Sequence, residues 1–194
     1  METRLKTYRV DLQKRIKVLK RHFRFKQAIN GITPAQEDKL RGLIALSHAE
    51  MEVYFETVAL TLLDDSKAKW DMNKIVNYNL ASLLIRGKRP DKNLDLGSMM
   101  FKIIEIHHDI IINNHGIKID NIHKMFKPLG YENDSFDTAF LSALDSFGVM
   151  RGTIVHGSAQ RATLALDKQS VYNEIDSLIN GLIDFEKAIL RKYN

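Results

Sequence analysis

The chain has no cysteine among its 194 residues. That excludes disulfides, thiolate metal sites and a cysteine nucleophile, and it fits a reducing compartment. Proline is almost as scarce, at three residues (Pro34, Pro90, Pro128), glycine numbers only ten, and no long period-two alternation of apolar and polar residues occurs. A sandwich or barrel needs frequent turn residues and alternating strands, so these absences leave an all-α fold, a helical bundle. No apolar run approaches the roughly 20 residues of a membrane span, and Met1-Glu2-Thr3-Arg4 opens a charged helix rather than an apolar signal segment. A soluble, cytoplasmic protein with no membrane partner is the expectation. No internal repeat or low-complexity tract is present, and with 44% hydrophobic residues the length suits one domain over residues 1–194.

Charge is abundant but uneven. Residues 1–30 carry ten Lys or Arg against Glu2 and Asp11, a local net of +8, so the overall +5 leaves −3 on the remainder. This basic N-terminal helix, packed on the body or extending from it, has the form of a nucleic-acid or acidic-partner contact; a solvated helix face has the same composition. Apolar residues Leu5, Tyr8, Leu12, Ile16, Leu19 and Phe23 recur at three- and four-residue steps and predict a helix from Thr3 to Ala28. Thr33-Pro34-Ala35-Gln36 then supplies an N-cap, a first-turn proline and a capping-box partner, and starts a second helix expected to reach Leu63. Its Glu50, Glu52 and Glu56 either face the basic helix or stay solvated.

Further helices are expected at Met72–Arg86, Ser98–Asn114, Asp120–Phe126, Phe136–Met150 and Lys168–Lys192, with Asp134 or Ser135 capping the next to last. The basic loop Arg86–Lys92 lacks the spacing of a phosphate-binding P-loop. Glu105 and His108 have the i, i+3 spacing of one half of a di-iron site, but no second pair accompanies them, so no metal and no cofactor is expected.

The most informative stretch is Arg151-Gly152-Thr153-Ile154-Val155-His156-Gly157. It sets a permanent cation, whose planar fork matches two phosphate oxygens, near an imidazole that titrates close to neutrality. In a continuous helix, five residues separate the two positions by about 7.5 Å along the axis and about 140° around it. They then converge on one phosphate only if the backbone breaks near Gly152 or Gly157, or if a second copy faces the first across a two-fold axis. The bland reading is a surface arginine paired with Asp145 or Asp134 and a histidine at a helix end.

Following a helical run, this stretch resembles the R-x4-H signature of the HEPN superfamily, and the segment Leu43 to Tyr54 resembles the long early helix of its RiboL-PSP type. The resemblance implies a helical domain, often a metal-independent ribonuclease, with a composite active site at a homodimer interface and RNA as substrate. It further implies a toxin or defence effector, in some cases held by a neutralising protein partner. Carried onto this chain, Arg151 and His156 are the catalytic pair, with Gly152, Thr153, Gly157 and Ser158 as supporting or RNA-binding positions. Two departures stand out. Where these nucleases usually carry Asn or Asp after the arginine, this chain has Gly152; where toxins silenced by modification carry tyrosine two residues after the histidine, it has Ser158. The first favours an alternative, a catalytically idle helical module that binds RNA or a protein. The second argues against antitoxin modification at that position.

Overall fold

The computed structural model describes residues 1–26, 31–88, 94–156 and 166–193. They form an all-α fold of seven α-helices and one short 3-10 turn. In chain order these are α1 (Glu2–His22), α2 (Pro34–Asn73), α3 (Tyr78–Arg86), α4 (Leu96–Ile112), α5 (Ile119–Phe126), a 3-10 turn (Asn133–Ser135), α6 (Thr138–His156) and α7 (Lys168–Tyr193).

Several boundaries differ from the sequence reading, each for a local reason. Helix α1 stops at His22 rather than at Ala28, because Phe23 turns inward; its ring lies so close to Gly42 that a Cβ there would sit 2.7 Å from it. Helix α2 starts where the capping box predicts, with Thr33 and Gln36 bonded reciprocally, but runs ten residues past Leu63. Polar side chains that look like a stop signal are instead consumed by tertiary contacts: Asp65 takes Arg4 at 2.7 Å and the Tyr193 hydroxyl, and buried Ser66 bonds back to the Leu62 carbonyl at 2.8 Å. The helix ends at Lys74 in the left-handed conformation, φ 56°, with Ile75 N–H bonded to the Lys69 carbonyl. This extension displaces the start of α3 from Met72 to Tyr78, capped by Asn77.

Cross-helix bonds fix the directions. Arg4 meets Asp65, Tyr8 meets Thr61 at 3.1 Å and Arg15 meets Glu50 at 2.6 Å, so α1 runs antiparallel to α2 and one of the three glutamates does face the basic helix. Arg9 meets Glu186 and Lys20 meets Asp176, so α7 is antiparallel to α1. Phe55 and Phe140 both reach Phe185 while His48 reaches Phe147, so α6 is antiparallel to α2. One end of the bundle therefore gathers the last turns of α1 and α6 with the first turns of α2 and α7.

At the centre lies an aromatic cluster, with Phe136 stacked on Phe185 at 4.4 Å and Phe55 and Phe126 edge-on to it at 5.2 Å each. Such pairs add about 0.5–1.5 kcal/mol each beyond the area they bury. Beside the cluster, buried Glu186 accepts from Tyr54 Oη at 2.8 Å and from Arg9 Nε at 3.0 and 3.1 Å, tying α1, α2 and α7 together. Removing the carboxylate strands a largely buried guanidinium. Glu186→Ala should therefore cost about 3 kcal/mol and lower the melting temperature by roughly 6–12 °C, while Glu186→Gln, which keeps an acceptor for Tyr54, should cost less. Melting curves of the two variants test this; a shift below about 2 °C for the alanine variant would show that Arg9 reaches solvent unaided.

Candidate active site

Helix α6 begins at a different cap from either residue anticipated. Asp137 Oδ1 accepts the Phe140 N–H at 2.7 Å, whereas Asp134 and Ser135 belong to the preceding 3-10 turn. The helix also ends later than Met150. It continues without interruption to His156, so the four intervening residues of the motif, Gly152 to Val155, are all helical. A backbone break at Gly152 is thus excluded as a way of bringing positions 151 and 156 together. Gly157 and Ser158 lie outside the described residues, as does the side chain of His156.

Arg151 is half-buried, one turn beyond fully buried Phe147 and beside Ile154, on the inner face of α6. Position 156 falls on the other face, near the exposed positions Val149 and Thr153. The Arg151 Nε is buried with no hydrogen-bond partner, and among the described residues the guanidinium forms no ion pair. Neither aspartate proposed as its surface partner takes it: Asp145 Oδ1 accepts the Ile119 N–H at 3.3 Å, at the start of α5. The Thr153 hydroxyl donates to the Val149 carbonyl at 3.1 Å, leaving its oxygen free to accept only. At Gly152 an added Cβ would meet nothing within 4 Å, so the helix has open space where a side chain would stand.

Two residues that sequence reasoning did not single out complete the surroundings of Arg151. The first is His48 of α2, 4% exposed, its ring stacked on Phe147 at 6.4 Å and its Nδ1 without a hydrogen-bond partner, 3.8 Å from Glu52. Burial, with the nearby charges of Arg151 and Lys118, pushes its pKa down to about 4, so the imidazole is neutral at physiological pH. The second is Lys118, in the connection between α4 and α5. Its side chain lies across Gly148, where a Cβ would fall 2.8 Å from Lys118 Cγ. That connection is held by Asn114, which donates to Glu56 at 3.2 Å and to the Gly116 carbonyl at 2.9 Å and accepts from Asn121 at 2.9 Å. Gly116 takes φ 131°, a conformation open to glycine at little cost. His48 carried a readable signal, since it interrupts the apolar stripe Leu40, Ile44, Met51, Phe55; Lys118 carried none.

The Glu105–His108 pair does not form half a metal site. Glu105 is bound by Lys102, His108 is exposed, and among the described residues no group of three or more His, Asp or Glu side chains is placed to hold a metal ion. The neighbouring His107 is instead a structural histidine, buried and bonded to the Met125 carbonyl at 3.0 Å.

A helical domain that presents an unpaired arginine and a following histidine on one unbroken helix belongs to the class of R-x4-H helical domains. The RiboL-PSP-HEPN family model matches residues 10–191, and the chain belongs to that family. No curated protein sequence and no solved structure gives a match. No helix among the described residues is long and apolar enough to cross a membrane.

His48 and His107 both have pKa values lowered to about 4, chiefly by burial, against an unfolded value of 6.5. The unfolded chain therefore binds more protons between these limits, so their contribution is complete above pH 6.5 and is lost as pH falls through 4. Near pH 5 each imidazole should add roughly 1 kcal/mol per pH unit to the slope of stability against pH. Denaturant titrations between pH 4 and 7 check this: His48→Gln should remove about that slope, and an unchanged slope would show that the ring is already protonated in the native state.

Proposed function

We propose that the protein is a metal-independent endoribonuclease whose active site forms between two copies of the chain, each contributing Arg151 and His156. The observation that carries the reading is the continuity of α6 through the motif together with an Arg151 that no carboxylate neutralises. On one helix the two positions face apart, whereas a two-fold contact along α6 presents both residues twice in one cleft. Val149 and Val155, 50% and 48% exposed on either side of Arg151, give that contact apolar surface to bury.

In the reaction, one His156 imidazole removes the proton of a ribose 2′-hydroxyl, and the oxygen attacks the adjacent phosphorus. The bond to the 5′-oxygen breaks, the partner's His156 as imidazolium protonates that leaving oxygen, and the products are a 2′,3′-cyclic phosphate end and a 5′-hydroxyl end. Arg151 and Lys118 hold the charge that builds on the phosphoryl oxygens; neutral His48 adds no charge and its ring fixes the face on which Arg151 lies. Nothing in this scheme calls for a metal. In the cell such an activity fits a toxin or defence effector restrained by a protein partner.

The second reading is an idle module that keeps the dimer face and binds RNA or a protein. Gly152 favours it, because no side chain stands beside Arg151 to orient the guanidinium or the strand.

Cleavage of a mixed RNA pool in EDTA decides between them. The parent should leave cyclic-phosphate ends and spare DNA, which lacks the 2′-hydroxyl. His156→Ala and Arg151→Ala should each lose about 10²- to 10⁴-fold, and excess His156→Ala chain added to the parent should suppress the parental rate, because each mixed dimer holds one histidine where the reaction uses two. Parental cleavage unchanged under that excess would remove the composite site. Gly152→Asn fits the open space and should raise the rate; an inert parent that this substitution activates would establish the idle reading of the native chain.

A further inference from the structure

Away from the motif, the second half of α1 and the first turns of α7 enclose an open cleft of about 600 Å³ that is almost wholly cationic. Lys14, Lys17 and Arg21 recur at steps of three and four residues and form a stripe about 10 Å long on the exposed face of α1, and Arg24, just past the end of the helix, adds a fourth cation to the cleft. Lys14 is paired with Asp11, but Lys17, Arg21 and Arg24 meet no carboxylate among the described residues. Opposite them, Lys20 and Lys168 flank the Tyr172 ring at 4.9 and 5.7 Å, the Tyr172 hydroxyl donates to the Lys20 carbonyl at 3.0 Å, and Lys168 donates to the Phe25 carbonyl at 2.7 Å. The floor of the cleft is thus fixed while the stripe above it stays free. Like charges one helical turn apart repel, so the stripe costs stability that a bound polyanion would return.

Position decides which polyanion. Helix α1 ends, α7 begins and α6 ends at the same end of the bundle, as the antiparallel contacts of Arg15 with Glu50, Lys20 with Asp176 and His48 with Phe147 require. We propose that the α1–α7 cleft binds the sugar-phosphate backbone of an RNA strand and leads it to the α6 motif, with Lys17, Arg21 and Arg24 as the phosphate contacts. The choice of RNA rests on the ribonuclease reading; the cleft itself does not. A regular line of single charges suits a strand with one charge per residue. An acidic protein surface would be expected to bring apolar contacts too, and Val18 is the one aliphatic side chain lining the cleft.

The test measures anisotropy of a labelled mixed-sequence RNA of about 20 nucleotides, in EDTA and on the His156→Ala background so that binding is read without cleavage. The substitutions Lys17→Gln, Arg21→Gln and Arg24→Gln together should weaken binding at least tenfold near 100 mM salt. They should also flatten the slope of log affinity against log salt by about 2, three contacts at about 0.7 each for a single strand. Lys6→Gln, Lys124→Gln and Lys187→Gln, which remove the same charge at exposed positions outside the cleft, should cost less than about threefold, the loss expected of net charge alone. A single Arg21→Glu change should repeat the loss with the circular dichroism spectrum unaltered. Equal affinity and slope in the cleft variant and the control would overturn the proposal, as would displacement of the RNA by poly-glutamate at equal charge concentration. Cleavage by the His156-intact chain is scored separately. An inactive parent that still binds RNA through the cleft sinks only the ribonuclease reading, and an active parent indifferent to the cleft substitutions sinks only the cleft.

Discussion

An unbroken hydrogen-bond ladder along α6 governs the geometry at the basic end of this bundle. Had the helix ended at Met150, Arg151 and His156 would sit on a turn free to fold them toward each other. Because it runs on to His156, the two positions are locked about 140° apart. Phe147 and Ile154 anchor the inner face of the helix in the core, and that anchoring decides which of the two motif positions points in. Arg151 takes the inner face with His48 and Lys118, position 156 takes the outer one, and the two do not meet within a single chain.

The inner face poses an electrostatic problem that the fold resolves in an unusual direction. A half-buried arginine normally acquires a carboxylate, since an unpaired charge in a low-dielectric setting is expensive. Asp145 serves the start of α5, Glu56 bonds Asn114, and Glu52 lies 3.8 Å from His48 rather than on the guanidinium. Lys118 adds a second cation, and burial, reinforced by the field of both, keeps His48 uncharged. The charge of Arg151 is left without a paired carboxylate among the described residues, and on that feature the proposed phosphate contact rests. The buried unpartnered atoms Arg151 Nε and His48 Nδ1 lie on facing helices.

Sequence periodicity conveyed the helices well wherever local signals act alone, and failed where tertiary contacts override them. The capping box at Thr33 and Gln36 and the final helix from Lys168 follow from local chemistry and stand as read. The end of α2 does not, because Asp65 and Ser66 read as a polar terminator until Arg4, Tyr193 and the Leu62 carbonyl are seen to satisfy them. The motif was legible because arginine and histidine at that spacing carry their own chemistry. Lys118 was illegible for the opposite reason, since nothing in a lone lysine before a short helix says which distant glycine it will lie across. His48 stood between: a histidine in an apolar stripe signals burial, but its neighbours Phe147 and Lys118 lie far away in sequence.

Gly152 concentrates the tension between the two functional readings. Glycine inside a helix costs about 0.5–1 kcal/mol relative to alanine, and here no neighbour within 4 Å makes a side chain impossible. Packing therefore does not demand glycine, in contrast to Gly148 and Gly181, where Lys118 and the Phe140 ring occupy the space. What the glycine does leave is an Arg151 with no polar side chain beside it on α6, so the described surroundings of the guanidinium are those of the inner face, the Phe147–His48 stack and Lys118. Under the proposed function, the support that the HEPN resemblance expects from the residue after the arginine would come instead from α2 and the α4–α5 connection. Both elements are themselves tied down, α2 by its buried stripe and the α4–α5 connection by the bonds of Asn114 to the Gly116 carbonyl and from Asn121.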